Sequence, residues 1–398
     1  MIDDIRPELG LRQIINVSGT MTALGASIVV PDAINAMQRS LPQFMEISDL
    51  HKRASALIAE LTGGEAGFVT ASCAAGITLS VAACMTGDNL AAIEQLPETG
   101  TLKNEVVALS GHLVSFGAPI DQMIRLSGAK VVSVGQATAS HAYQLAAAIT
   151  ERTAAALYVV SHHVVDYAQV PLSTFIHVCH ERGVPVIIDA ASEYDLRYFL
   201  DHGADLVIYS GHKFLGGPTS GIVAGSKNLV RSTYLQNRGI GRGMKVGKES
   251  IVGVMAALAA WKTRDHNAIR KREQDSLDLW VNTLKDRPGV RTEVVPDPTC
   301  NPLDRLKVSI DPILAHISAW DLARKLASGD MPVIVRDHEI EHGHFFLDPC
   351  NLHPGQDEVV AERLTEELER ARKSNEVVAT PIADWWMERE AAIRHWPD

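Results

Sequence analysis

Between about residue 50 and residue 265, short β-branched runs alternate with Ala- and Leu-rich stretches of helical period. Residues 155–161 read as a strand, 172–182 as a helix and 184–189 as the next strand. Gly183-Val184-Pro185 marks the turn between the last two, because glycine is common just after a helix and proline resists continuing one. Such alternation predicts βαβ units around a mostly parallel sheet, an α/β architecture. After about residue 266 the pattern changes to a charged helix over 270–285, a turn at Pro288-Gly289 and short strands at 290–295 and 306–310. A helix at 319–327, a hairpin over 333–347 and a long helix over 356–372 follow. The expected organisation is an N-terminal segment, 1–48, that joins the small domain, then a large domain over 49–265. A small α+β domain over 266–376 and a C-terminal tail, 377–398, complete it. No internal repeat or low-complexity linker interrupts the pattern.

With 398 residues, 46% hydrophobic and 21% charged, the chain can bury a large core and suits two or three domains. A net charge of −11 is a poor match to a polyanion, so no nucleic-acid partner is expected. The start, Met1-Ile2-Asp3-Asp4-Ile5-Arg6, is acidic and lacks the basic head and apolar core of a signal peptide. No stretch approaches the ~18 apolar residues of a membrane span, so no membrane partner is expected either. The five cysteines, at 73, 84, 179, 300 and 350, lack the paired spacing of a disulfide scaffold, which points to a reducing cytoplasm.

The candidate chemistry lies mid-chain. One apolar run ends in an acid, Val186-Ile187-Ile188-Asp189-Ala190-Ala191, and a second, Leu206-Val207-Ile208-Tyr209, leads into Ser210-Gly211-His212-Lys213. That pairing suggests pyridoxal 5'-phosphate (PLP): an acid for the pyridinium nitrogen and a lysine for the Schiff base. A buried carboxylate keeps the ring nitrogen protonated, and open α/β sheets bind ligands at the C-terminal ends of their strands. The alternative for Asp189 is a cap on the following helix. Ala191 is small enough to pack against one face of the ring.

Lys213 comes 24 residues after Asp189, about one helix-and-strand unit, so both can reach one sheet edge. A lone lysine at a strand end is more often a solvated surface group. This one sits among Gly211, Gly216, Gly217 and Gly221, in a turn that lets the backbone approach a ligand closely. Ser210 could donate its hydroxyl to the cofactor phosphate. A phosphate cradle is expected where the small-residue loop up to Gly76 runs into a helical pattern, because helix N-termini favour anions. Ser72 and the amides of Cys73 and Ala74 are its candidate contacts. Small-residue helix starts are also commonly structural, and Cys73 reads as a loop residue rather than a nucleophile.

The order of phosphate loop, ring-stacking residue, Asp and Gly-His-Lys resembles fold-type I PLP enzymes, with 49–265 as the PLP-binding domain. Four segments together resemble the selenocysteine synthase-like family: Ile15-Asn16-Val17-Ser18-Gly19-Thr20, Ile58 to Ala66, Gly241 to Glu249, and Leu347-Asp348-Pro349. The likeness covers roughly residues 8 to 372, and the Lys213 region is its most specific part.

The resemblance implies that His112 stacks on the cofactor ring and that His212 belongs to the cofactor-binding Gly-His-Lys run. It also implies that Arg336 binds the substrate carboxylate, with Thr20 and Thr22 the next candidates. His163 could face the cofactor hydroxyl or the substrate. The segment 241–249 is implied to reach a neighbouring subunit's cofactor phosphate, making the active unit a homodimer or larger homo-oligomer. His338-Glu339-Ile340-Glu341-His342 fits the HExxH zinc pattern, but strand-like flanks and Gly343 make it a hairpin turn rather than a helix, and no metal is expected.

Selenocysteine synthases act on a charged tRNA and carry an extra N-terminal domain, whereas this acidic chain enters the catalytic region by Ile14. It is more similar to the smaller relatives, ammonia-lyases and other enzymes of free amino acids or sugar amino acids. The expected function is a PLP-dependent lyase that releases ammonia and a 2-oxo acid by α,β-elimination. The alternatives are retro-aldol cleavage or racemisation of a small amino acid, a transferase of the selenocysteine synthase type, or a non-catalytic scaffold. Intact Asp189 and Lys213 argue against the last.

Overall fold

In the computed structural model, which describes residues 4–165, 167–374, 376–395 and 397, the alternating pattern becomes a ladder of strands. Residues 1–3, the head of the acidic start, lie outside the described residues. In chain order the strands are β1 (Ile15–Val17), β2 (Ala66–Thr70), β3 (Glu105–Leu109), β4 (Lys130–Val134), β5 (Thr153–Val159) and β6 (Val186–Asp189). β7 (Leu206–Ser210), β8 (Gly221–Gly225), β9 (Val290–Pro296), β10 (Asp304–Ile310), β11 (Val333–Val335) and β12 (His344–Leu347) follow. The chain divides into a larger unit, residues 28–264, and a smaller one made of residues up to Ser27 with 265–398.

In the larger unit a sheet runs in the order β2-β8-β7-β6-β5-β3-β4. β8 is antiparallel to both its neighbours, and β7, β6, β5, β3 and β4 are parallel. Helices cover both faces, which explains why β6 and β7 are apolar at consecutive positions. Ile187, Leu206 and Ile208 enter one core, while Val186, Ile188, Val207 and Tyr209 enter the other. The chain moves outward from β3 in both directions, to β4 on one side and β5 on the other, so a topological switch lies between β3 and β5. Open sheets form their binding crevice there, outside the carboxyl ends of the strands. Thr70 and Ser210 both pair with Gly221, and Asp189 pairs with Ile208 and Val159. The ends of β2, β5, β6 and β7 therefore share one edge.

The smaller unit has an antiparallel sheet, β9-β10-β12, and a parallel pair, β1-β11, linked through bridges of Ser18 with Asp348 and Arg336 with Phe346. Its core gathers around Trp280, on the helix His266–Leu284, with Leu322, Phe345 and Leu364. The expected hairpin contains a short 3-10 turn, Ile340–His342, closed by Gly343 at φ +76°. A turn of that length cannot stack two imidazoles one α-helical turn apart. No helix among the described residues is long and apolar enough to cross a membrane.

Two segments depart from the expected organisation. Residues 28–48 belong to the larger unit, because the helix Pro31–Ser40 packs on the helix Lys248–Thr263. Gly253 permits that approach: a Cβ there would stand 2.8 Å from Met37 Cγ. The expected tail contains a helix, Ile382–Arg394, whose Trp385 is buried in the smaller unit's core.

Candidate active site

The loop after β2 is held by its own polar groups. Thr70 Oγ1 donates to the Ser72 carbonyl at 2.8 Å, and Ser72, in extended conformation, caps the helix Cys73–Thr86 by accepting from the Ala75 amide at 3.1 Å. The amides of Cys73 and Ala74, in the first turn, have no intrahelical acceptor and face the end of the helix with its positive dipole. β8 must be glycine where it passes: a Cβ on Gly221 would lie 2.4 Å from the Ser72 carbonyl oxygen. A cavity of about 240 Å³ opens beside this helix start, lined by Ser72, Ala74, Thr78, Met123, Leu126 and Met244. Met244 comes from the segment 241–249 of the same chain, whose Arg242 and Lys245 are exposed.

Asp189 ends β6 and is only 8% exposed. Burial lifts its carboxyl to about 6, against the pull of the Lys213 charge and the Ala191 amide, which donates to Oδ1 at 3.2 Å. Lys213 leaves β7 through a tight turn in which the Gly216 amide donates to the Lys213 carbonyl at 2.9 Å, with Gly216 at φ +68°. Its Nζ donates to Ser192 Oγ at 2.7 Å. Cys73 feels the same groups. Burial and then the Asp189 charge push its thiol up to about 12, while Lys213 and a hydrogen bond with Ser210 oppose the shift. The thiol stays protonated at neutral pH, which removes it as a nucleophile. Ser210 is buried at the end of β7, with its Oγ 3.2 Å from His212 Nδ1. Burial, helped by the Lys213 charge, pushes the His212 imidazole down.

His112 follows β3 at the topological switch. Its Nδ1 accepts the Val159 amide at 3.0 Å, so in the neutral ring Nε2 carries the hydrogen. Burial pushes the imidazole down to about 4, and its ring meets Tyr158 edge-on at 4.4 Å. His163 is exposed in the turn after β5, with its ring 3.8 Å from that of His162.

In the smaller unit, Arg336 is buried beside two acids and a second arginine. Arg305 holds Asp297 at 2.5 Å and Asp348 at 2.9 Å, so it takes most of the available negative charge. Arg336 is left with a 3.9 Å approach to Asp348 Oδ2 and a 3.4 Å hydrogen bond from Nε to His338 Nδ1. Burial and then the Arg305 charge lower the Arg336 guanidinium to about 10. Gly19 lies against the pair: at φ +86°, a Cβ there would stand 2.7 Å from Asp348 Oδ2 and 3.3 Å from Arg336 Nη1. Asn16 and Asn351 both donate to the Gly19 carbonyl, at 2.9 and 3.0 Å. Thr20, half-buried, and Thr22, exposed, follow directly.

Within the larger unit the structure therefore brings together Ser72, Cys73, Ala74, Asp189, Ala191, Ser210, His212 and Lys213. Ser192 was not among the sequence candidates. Its signal was weak, a serine three residues after Asp189 in a run of small residues. The donor set fits PLP: helix-start amides and hydroxyls for a phosphate, an amine for the aldehyde carbon, and a buried acid that a cation would keep ionised.

The L-seryl-tRNA selenium transferase family model matches residues 14–273. The chain belongs to that family. A similar relative, D-glucosaminate-6-phosphate ammonia lyase of Salmonella typhimurium, is 35% identical over 371 residues, which is 93% of this chain and 100% of the relative. The solved structure of a D-glucosaminate-6-phosphate ammonia-lyase superposes with a TM-score of 0.84 at 34% identity, covering 94% of this chain and 100% of that one. A 5'-C-glycyluridine monooxygenase-decarboxylase of Streptomyces is also 35% identical, over 90% of this chain and 91% of the relative. SPT with PLP shares the fold at 16% identity and a TM-score of 0.59, covering 90% of this chain and 88% of that one. This member of the selenium transferase family is a PLP-dependent enzyme of fold type I.

Proposed function

We propose that this chain is a PLP-dependent ammonia-lyase that acts on a small amino acid or amino sugar acid by α,β-elimination. One observation carries the reading: Lys213, its amine on Ser192, shares a sheet edge with the buried Asp189 in a chain that aligns with the whole length of an ammonia lyase. PLP, when bound, supplies an electron sink for the pair left at Cα. Asp189 is the group for the pyridine nitrogen, because a carboxylate kept from water stabilises an adjacent cation. Ser72, Ser210 and the amides of Cys73 and Ala74 are the groups for the phosphate. His112 and Ala191 are the candidates for the two ring faces, with His163 and His212 as further cofactor-side candidates.

Lys213 Nζ takes the proton from Cα, and Ser192 orients it. The bond from Cβ to its substituent then breaks, the substituent leaves with the electron pair, and hydrolysis releases ammonia and a 2-oxo acid. Arg336 grips the substrate carboxylate, for which a planar guanidinium suits a bidentate contact, and Thr20 and Thr22 are the neighbouring candidates. The setting we propose is cytoplasmic, with an active unit of at least two copies and the segment 241–249 serving a neighbour's phosphate site.

A second reading, oxidative decarboxylation, is favoured by the equal identity to the monooxygenase-decarboxylase. Incubation with D- and L-amino acids and 2-amino sugar acids, following ammonia, 2-oxo acid and dissolved oxygen together, separates the two. Ammonia and 2-oxo acid in equal amounts without oxygen uptake support the lyase. Oxygen consumption with carbon dioxide release and no 2-oxo acid would replace it with the second reading.

A further inference from the structure

The turn that carries Lys213 closes three of its carbonyls with backbone amides of its own unit. The Gly211 carbonyl accepts from the Gly217 amide at 2.7 Å, that of Lys213 from Gly216 at 2.9 Å, and that of Gly216 from Val30 at 2.8 Å. The two carbonyls between them, Phe214 and Leu215, are taken by one side chain. Arg264 donates from Nη1 to the Phe214 oxygen and from Nη2 to the Leu215 oxygen, both at 2.8 Å. A guanidinium fork presents two N–H groups in a fixed plane to two consecutive carbonyls, a geometry that a flexible ammonium does not hold.

Arg264 is itself held in place. Its guanidinium lies 4.8 Å from the centre of the Trp261 ring, and Trp261 packs on Tyr194 at 4.5 Å, which meets Phe214 at 5.3 Å. Tyr194 stands two residues after Ser192, the acceptor of the Lys213 amine. One layer of guanidinium and aromatic rings thus reaches both the backbone just after Lys213 and the loop that holds its side chain.

We infer that Arg264 is a positioning residue for Lys213, fixing the turn from which its amine reaches the cofactor. The inference rests on the reading of Lys213 as the cofactor-linking amine. Arg264→Ala removes both hydrogen bonds, and Arg264→Lys keeps the charge over Trp261 but loses the rigid planar fork that spans the two carbonyls.

The test uses the full chain loaded with PLP. Borohydride reduction and peptide mapping first establish whether the linkage is at Lys213. Amide hydrogen exchange over residues 213–217, the rate of PLP loss to a trapping agent, and separate kcat and KM values then compare the variants with the parent. The expected result is an intact linkage at Lys213 in both variants, with faster exchange in the turn. PLP loss should be on the order of tenfold faster in Arg264→Ala and intermediate in Arg264→Lys, with kcat lowered and KM unchanged. Parent-like exchange and PLP loss in Arg264→Lys, with the linkage intact, would overturn the inference alone, even if the alanine variant failed to fold. A linkage that mapped to another lysine in the parent would overturn the Lys213 reading and this inference with it.

Discussion

Asp189→Asn should make the cofactor-free protein more stable and the loaded enzyme far less active. Burial raises the Asp189 carboxyl from 3.8 to about 6 in the folded chain, even with the Lys213 charge nearby. An acid whose folded pKa is raised carries no penalty below its unfolded value, because both states are then protonated. The penalty grows as pH rises from 3.8 and is complete above about 6. A rise of that size at a buried carboxyl corresponds to a penalty on the order of 3 kcal/mol. Asn keeps an oxygen for the Ala191 amide without the charge. Urea denaturation of the PLP-free proteins at pH 8 should therefore show the variant more stable by up to ~3 kcal/mol, and the gap should close as pH approaches 4. Turnover of the loaded variant should fall on the order of 10²-fold or more, because an amide cannot stabilise a cation at the ring nitrogen. Equal stability of the two apo proteins at pH 8 would show that Asp189 is solvated or already compensated. Near-normal turnover would move the nitrogen partner elsewhere.

Lys213→Ala should lose the borohydride-reducible cofactor linkage, and a linkage surviving in that variant would place the reactive amine on another lysine. Arg336→Ala should weaken substrate binding by roughly 2–5 kcal/mol with the cofactor spectrum unchanged, while Arg336→Lys recovers part of the loss. Unchanged kcat and KM in the alanine variant would leave the carboxylate to Thr20 or Thr22. Gly19→Ala forces a side chain into the left-handed region at φ +86° and within 2.7 Å of the Asp348 carboxylate, so denaturation should show a loss of at least ~1–3 kcal/mol. A parent-like midpoint would mean that the Gly19 loop relaxes freely. Sedimentation at assay concentrations should find at least a dimer, and a fully active monomer would rule out the shared phosphate site.

Some of this protein was decided by patterns local in the chain. Side-chain period alone predicts alternating strands and helices in the larger unit, because burial on both faces leaves β6 and β7 apolar at consecutive positions. The spacing of Asp189 and Lys213 also carries information, since one helix-and-strand unit returns the chain to the same sheet edge. Other features exist only after the strands have found their neighbours. The hydrogen on His112 Nε2 depends on an amide of β5, 47 residues away, and the Arg264 clamp spans 50 residues. Arg336 keeps only a 3.9 Å approach to Asp348 because Arg305, from another strand, holds both Asp297 and Asp348 more closely. The packing of Met37 against Gly253 places residues 28–48 in the larger unit, and the burial of Trp385 turns an expected tail into core. Period and spacing are properties of adjacent residues and can be read along the chain. Desolvation, the sharing of one charge among several partners and the capture of a carbonyl depend on which distant segments meet, and only the tertiary structure decides that.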